Sequence, residues 1–322
     1  MINFTINFGK RLLFFTFLYY NTLTKRTDHV YVCNLFKNQI NNERRERSYD
    51  YRSFNTNTMR KGLKLALELD QINAKNKYDM IDGYEIHLYG DERDHFELDS
   101  LLNKPIFTVH YPLNRCDVAE IAKDYKSDYA KKVFDLCHKH NVGLVIHAES
   151  PSFDVFNNPD VEDFCKMVKD TGLTIHVENC YRNIGAVEGL QIMKYMRNRI
   201  NDQQVFPLLD TCHLIMSEMS FKYEERSFFH TIDSYKSDNF KMHLNDCIGS
   251  GEKETGGTHG TNFSNNIYLL RNILWKLYNL EQHAYSVDCI LEVDEKDYIN
   301  APKAVELANN IDMIMEEFKE EY

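Results

Sequence analysis

From residue 54 onward, short apolar or β-branched runs alternate with longer stretches in which apolar residues recur every three or four positions. Eight such runs occur, at 54–58, 83–89, 106–110, 143–147, 173–178, 206–210, 240–244 and 289–293. Between them, Val118, Ile121, Tyr125, Tyr129 and Val133 fall on one helical face, as do Val305, Ile311, Met315 and Phe318. Asn300 ahead of Ala301-Pro302 marks the start of the last helix. Repeated strand–helix units predict a parallel sheet covered by helices. Residues 54–322 are close to the roughly 250 typical of eight such units, so the predicted fold class is α/β, a (β/α)8 TIM barrel. An open doubly wound sheet would want a Gly-rich turn after its first strand. Asn57-Thr58-Met59-Arg60-Lys61-Gly62 stands there instead.

Charge divides the chain. Residues 1–48 sum to +5 and the remainder to −16, within a total of −11 over 322 residues. The predicted domains are therefore an N-terminal extension over 1–50, with alternating Ile2, Phe4, Ile6 and Phe8, and the barrel over 51–322. The apolar run 12–20 is far short of the roughly 20 residues that cross a bilayer, and Asn21-Thr22-Leu23-Thr24-Lys25 offers no small-residue cleavage site. Neither a membrane span nor a secretory signal is expected. The eight cysteines form no CxxC pair, which fits reduced thiols in the cytoplasm.

Polar residues at the strand ends carry the chemistry. Alternate side chains of a strand face the barrel interior, and the last inward residue is ionisable in six successive strands: His110, His147, Glu178, Asp210, His243 and Glu292. All six converge on the carboxyl face, where such barrels carry their active sites. Three carboxylates and three imidazoles there would strand buried charge at several kcal/mol each without a counter-ion. A divalent metal ion offsets that cost. Oxygen and imidazole donors suit manganese, cobalt, zinc or magnesium.

Leu209-Asp210-Thr211-Cys212-His213 and Met242-His243-Leu244-Asn245-Asp246, with Val177-Glu178-Asn179 before and Leu291-Glu292-Val293 after, resemble the xylose-isomerase-like barrel superfamily. That group joins sugar isomerases and epimerases with the endonuclease IV family of DNA repair, and the similarity covers about 54–322. The isomerase branch implies one metal on Glu178, Asp210, His243 and Glu292, with Glu178 and Glu292 as the catalytic pair. These would shuttle a proton across a metal-stabilised enediolate of a small sugar or related hydroxy-carbonyl compound. His213 would bind a substrate oxygen. The endonuclease branch, the alternative, implies a second metal on His110, His147 and Glu178. It implies a third on His213, His259 and an Asp that this chain lacks, since Gly257-Thr258-His259 stands in its place. One metal is expected, against two or three in the hydrolytic reading.

Charge favours the small substrate. Residues 91–99 sum to −4, and Glu149, Asp154, Asp160, Glu162 and Asp163 follow the fourth strand without a basic residue among them, a poor match for a phosphate backbone. Glu149 is read either as a substrate-binding residue or as one that orients a ligand. His259 is placed on a loop over the site, as a further candidate to bind substrate. His176 is expected to be a hydrogen-bonded core residue and Lys241 to neutralise buried acid. Cys212 and Cys247 flank the site without an evident activator. Barrels of this kind often pair, so a homodimer is a further expectation.

Overall fold

The structure, a computed structural model, describes residues 59–66, 78–98, 102–149, 152–180, 186–219, 231–232, 234–235, 239–248, 258–264, 266–281, 287–295, 297 and 299–321. All of them belong to the unit Asn55–Tyr322. The predicted extension over 1–50 lies outside the described residues.

Eight parallel strands close into a barrel, in the order β1-β10-β7-β6-β5-β4-β3-β2. They are β1 (Met59–Ala66), β2 (Gly83–His87), β3 (Ile106–His110), β4 (Gly143–Ala148), β5 (Ile175–Asn179), β6 (Val205–Asp210), β7 (Phe240–Leu244) and β10 (Val287–Leu291). A small antiparallel pair, β8 (Asp246–Ile248) with β9 (Thr258–Thr261), stands outside it. Helices follow the strands: α1 (Val118–Asp124), α2 (Asp128–His140), α3 (Ser152–Val155), α4 (Pro159–Thr171), α5 (Ala186–Arg199), α6 (Thr211–Met219), α7 (Ile267–Glu281) and α8 (Pro302–Glu321). No helix among the described residues is long and apolar enough to cross a membrane.

The strands alternate as their sequences require. Val109, Leu144, Ile146, Val177 and Leu209 are buried against the helices, while Thr108, His110, His147, His176, Glu178, Asp210, Lys241 and His243 turn inward and are buried as well. The strand-to-helix joints are set locally. Asp117 caps α1 by accepting from Ala119 N, and Asn158 caps α4 ahead of Pro159. Gly172, at φ 73°, ends α4 in the left-handed region that favours glycine.

Two predicted elements are corrected. The first barrel strand is Met59–Ala66; the predicted 54–58 lies outside the described residues, and Met59-Arg60-Lys61-Gly62, expected to follow the first strand, is itself strand. Its cations are satisfied only in the fold: Arg60 grips Asp288 through Nε and Nη2 at 2.7 and 2.9 Å, and Lys61 reaches Asp312 at 2.5 Å. The face running from Val118 to Val133 belongs to two helices. Ser127, extended at ψ 155°, breaks it and caps α2 by accepting from Ala130 N.

Candidate metal centre

Register brings the inward strand ends together. His147 lies opposite Glu178 in the β4–β5 pair, Asp210 opposite His243 in β6–β7, and His87 opposite His110 in β2–β3. Glu292 follows β10 directly. The result is two donor groups that share one residue. His110, His147 and Glu178 form the first and Glu178, Asp210, His243 and Glu292 the second, with all donor atoms of a group within 4.8 Å of one another.

Glu178 divides its oxygens between them. Oε2 lies 3.3 Å from both His110 Nε2 and His147 Nε2, and Oε1 lies 3.4 Å from His243 Nδ1. His243 Nδ1 is also 3.7 Å from Asp210 Oδ2 and 2.6 Å from Glu292 Oε2. Despite these approaches, Glu178 Oε2 and His243 Nδ1 are buried atoms without a hydrogen bond. Buried polar atoms that converge on a common point without a hydrogen bond are what a cation satisfies. The residues therefore fit a divalent metal.

The His110 and His243 imidazoles are held by the nitrogen turned away from the centre. His110 Nδ1 donates to the Tyr111 carbonyl at 2.7 Å and His213 Nδ1 to the Asn179 carbonyl at 2.8 Å. His243 Nε2 donates to Glu85 Oε2 at 3.0 Å, and Thr108 Oγ1 donates to the same oxygen at 2.8 Å. At His110 and His243 such partners fix the tautomer and leave the opposite nitrogen to the centre. Asp210 is clamped too: Oδ1 accepts from His213 N at 2.6 Å and Oδ2 from Asn245 Nδ2 at 3.0 Å. Asn179 bonds both backbone groups of Asp210, at 2.7 and 3.1 Å. Asn179 and Asn245 are thus the fasteners of the motifs in which they stand.

The electrostatics are those of a cage built for positive charge. Burial works against protonating His243, yet Glu85, Glu178 and Glu292 outweigh it and raise its pKa well above the usual value. Burial likewise opposes protonated His213, and Asp210 reverses the balance. For Glu178, burial favours the neutral acid, but His243 and His147 hold its pKa well below the carboxylate range.

Several functional side chains escaped the sequence reading. Glu85 is fully buried behind His243. Lys64, on the corrected β1, forms an ion pair with Glu292; burial lowers its pKa, and Glu292 and Glu85 more than restore it. His87 sits 5.6 Å from the His110 ring, its pKa lowered by burial and then by Lys64. Alternation from Gly83 could have flagged Glu85 and His87; no sequence signal marks Lys64.

Glu149 stands beside the centre, with Oε1 3.6 Å from His147 Nδ1. His213 is brought to it, Nδ1 lying 3.3 Å from Glu178 Oε1. His259 falls in β9, and its side chain lies outside the described residues. Lys241 pairs with buried Asp288. His176 departs from expectation: it is buried, but neither ring nitrogen has a hydrogen bond. Burial, then Lys241, lowers its pKa well below the usual value, so it packs as a neutral ring, tilted on Phe206. Cys212 is raised by its bond with Cys247 and by burial, the opposite of nucleophile activation. The acidic stretch after β2 is partly self-satisfied. Asp91 pairs with Arg93, and Asp94 accepts from Tyr89 N, Gly90 N and Tyr129 Oη.

No family model matches the chain, and no curated protein matches it. Among solved structures, a xylose isomerase domain-containing protein from Salmonella typhimurium LT2 is similar over 82% of this chain and 98% of its own, at 11% identity and a TM-score of 0.51. Phosphoribosyl anthranilate isomerase from Thermococcus kodakaraensis is more distant, with 11% identity, 78% and 99% coverage and a TM-score of 0.36. SacUVDE has 12% identity, 79% and 99% coverage and a TM-score of 0.33. The expected xylose-isomerase-like barrel is met at the level of fold.

Proposed function

We propose that this barrel is an enzyme whose centre holds two divalent cations and hydrolyses a phosphoester. The observation that carries the reading is Glu178, with one oxygen turned to His110 and His147 and the other toward His243. Chemistry with one cation needs only the group of Glu178, Asp210, His243 and Glu292, and leaves the paired imidazoles without a task.

Charge supports the same choice. Glu178, Asp210 and Glu292 bring three negative charges to the centre, while Lys64 and Glu85 cancel. A second divalent cation makes the centre more positive by two units, which favours an anionic substrate. When bound, the cations supply Lewis-acid charge that makes water acidic and neutralises phosphoryl oxygens. Glu178 holds both donor groups in register, Glu85 and the Tyr111 carbonyl aim His243 and His110, and His213 is positioned to hydrogen-bond the substrate. DNA at an abasic site, which the endonuclease resemblance implies, is the first substrate to try.

A second reading is a one-cation isomerase or epimerase of a sugar-like hydroxy-carbonyl compound, with Glu178 and Glu292 moving the proton. Asp91, Glu92, Asp94 and Glu97, which follow β2 toward the mouth, favour its neutral substrate. The two separate on the metal-loaded protein. Cleavage of an abasic-site duplex or a chromogenic phosphodiester is the expected result. Solvent deuterium appearing in a ketose, without such cleavage, would replace hydrolysis with isomerisation.

A further inference from the structure

A third group of donors stands at one edge of this centre. The His147 ring turns Nε2 to Glu178 at 3.3 Å and its other nitrogen, Nδ1, to Glu149 Oε1 at 3.6 Å. Cys180, two residues past Glu178, is fully buried. His147, Glu149 and Cys180 each offer a donor atom within 4.8 Å of the other two.

The backbone builds this group in advance. In the β4–β5 register His147 faces Glu178 and Ala148 faces Asn179, and Glu149 and Cys180 are the residues that follow each strand. Glu149 N donates to Asp117 Oδ1 at 2.9 Å, while Asp117 Oδ2 caps α1. The Cys180 thiol makes a long contact with the Glu178 carbonyl, 3.8 Å, and a hydrogen bond with the His213 ring, contacts that a metal would replace. The Glu149 side chain is 26% exposed, which gives an ion a way in and leaves one coordination position to solvent.

We infer that His147, Glu149 and Cys180 form a separate site for a thiophilic divalent cation of the zinc class. Sulfur beside imidazole and carboxylate selects against magnesium, calcium and manganese, whose preferred donors are oxygens. Three protein donors with an open fourth position are also an ordinary zinc arrangement. Loading is proton exchange without redox change. The thiol gives its proton to solvent as the sulfur–metal bond forms. A neutral imidazole keeps one N–H, so holding cations through both nitrogens costs His147 that proton too. One ring therefore links this site to the His110–His147–Glu178 group, and filling either changes the affinity of the other. The site stands whichever reaction the neighbouring centre performs.

Cobalt(II) titration of the reduced, chelator-stripped full chain tests it. Thiolate ligation gives a near-ultraviolet charge-transfer band, whereas imidazole and carboxylate sites give only visible d–d bands. The wild-type chain should show both, and Cys180→Ser should lose the near-ultraviolet band while keeping the visible ones. Glu149→Gln, a change of the same size at a partly exposed side chain, keeps the thiol; its near-ultraviolet band should need on the order of tenfold more cobalt. A wild-type chain without that band at saturation, or a band unchanged in Cys180→Ser, overturns the site. Loss of the visible bands alone would instead count against the two-cation centre.

Discussion

Glu85 offers the sharpest test of how the centre is held. It and His243 are both fully buried, and the 3.0 Å bond between them aims His243 Nδ1 at Glu178, Asp210 and Glu292. Partners of this kind are worth about 10- to 100-fold in metal affinity, or about 1.4 to 2.8 kcal/mol. Two substitutions divide that figure. Glu85→Gln keeps an acceptor for His243 and Thr108 and removes only the charge, so affinity should fall about tenfold. Glu85→Leu removes the acceptor, lets the ring turn and leaves Nε2–H buried and unsatisfied. Affinity should then fall toward 100-fold, with about 1–3 kcal/mol of stability lost as well. Zinc competition against a chromogenic chelator reads the first quantity and thermal denaturation of the cation-free chain the second. Wild-type affinity in Glu85→Leu, with the fold intact, would refute the orienting role.

Other consequences follow from the same geometry. Lys64 competes with a cation for Glu292, so Lys64→Met should bind zinc several-fold more tightly while lowering the melting temperature of the cation-free chain; unchanged affinity by calorimetry would separate Lys64 from the centre. The raised pKa values of His243 and His213 mean that these rings hold protons near neutral pH in the cation-free protein. Cation uptake at His243 should therefore release protons, and affinity should climb with pH until its ring is neutral; calorimetry in buffers of different ionisation enthalpy would show no proton release if this is wrong. A Cβ at Gly83 would sit 2.6 Å from the Pro105 carbonyl and closer still to Phe107, so Gly83→Ala should cost about 1–3 kcal/mol in urea denaturation. A neutral result would place the β2–β3 contact elsewhere.

Much of this arrangement was legible in the sequence, for physical reasons that also mark where legibility ended. Strands such as Ile106–His110 and Phe240–Leu244 announce themselves because a strand buried on both faces is apolar except where its last inward residue reaches the mouth. His110, His147, Glu178, Asp210 and His243 were readable from that rule alone, as was Glu292 just beyond β10. Met59–Ala66 was not, because Arg60, Lys61 and Lys64 make it look like a surface loop. Their partners Asp288, Asp312 and Glu292 lie more than 200 positions away in sequence. Glu85 was hidden similarly, in a five-residue strand that reads as amphipathic until the barrel closes over it. Cys180 carries no signal in the sequence, because a lone thiol means little before β4 and β5 are paired and Glu149 is set beside it.

The central claim is that one carboxylate, Glu178, is shared by two cations. Anomalous diffraction from crystals grown with manganese, whose preference for oxygen donors keeps it off the Cys180 thiol, tests it most directly. Two peaks about 3.5–4 Å apart, one beside His110 and His147 and one among Asp210, His243 and Glu292, are expected, with Glu178 between them. A single peak, or none at Glu178, would contradict the account.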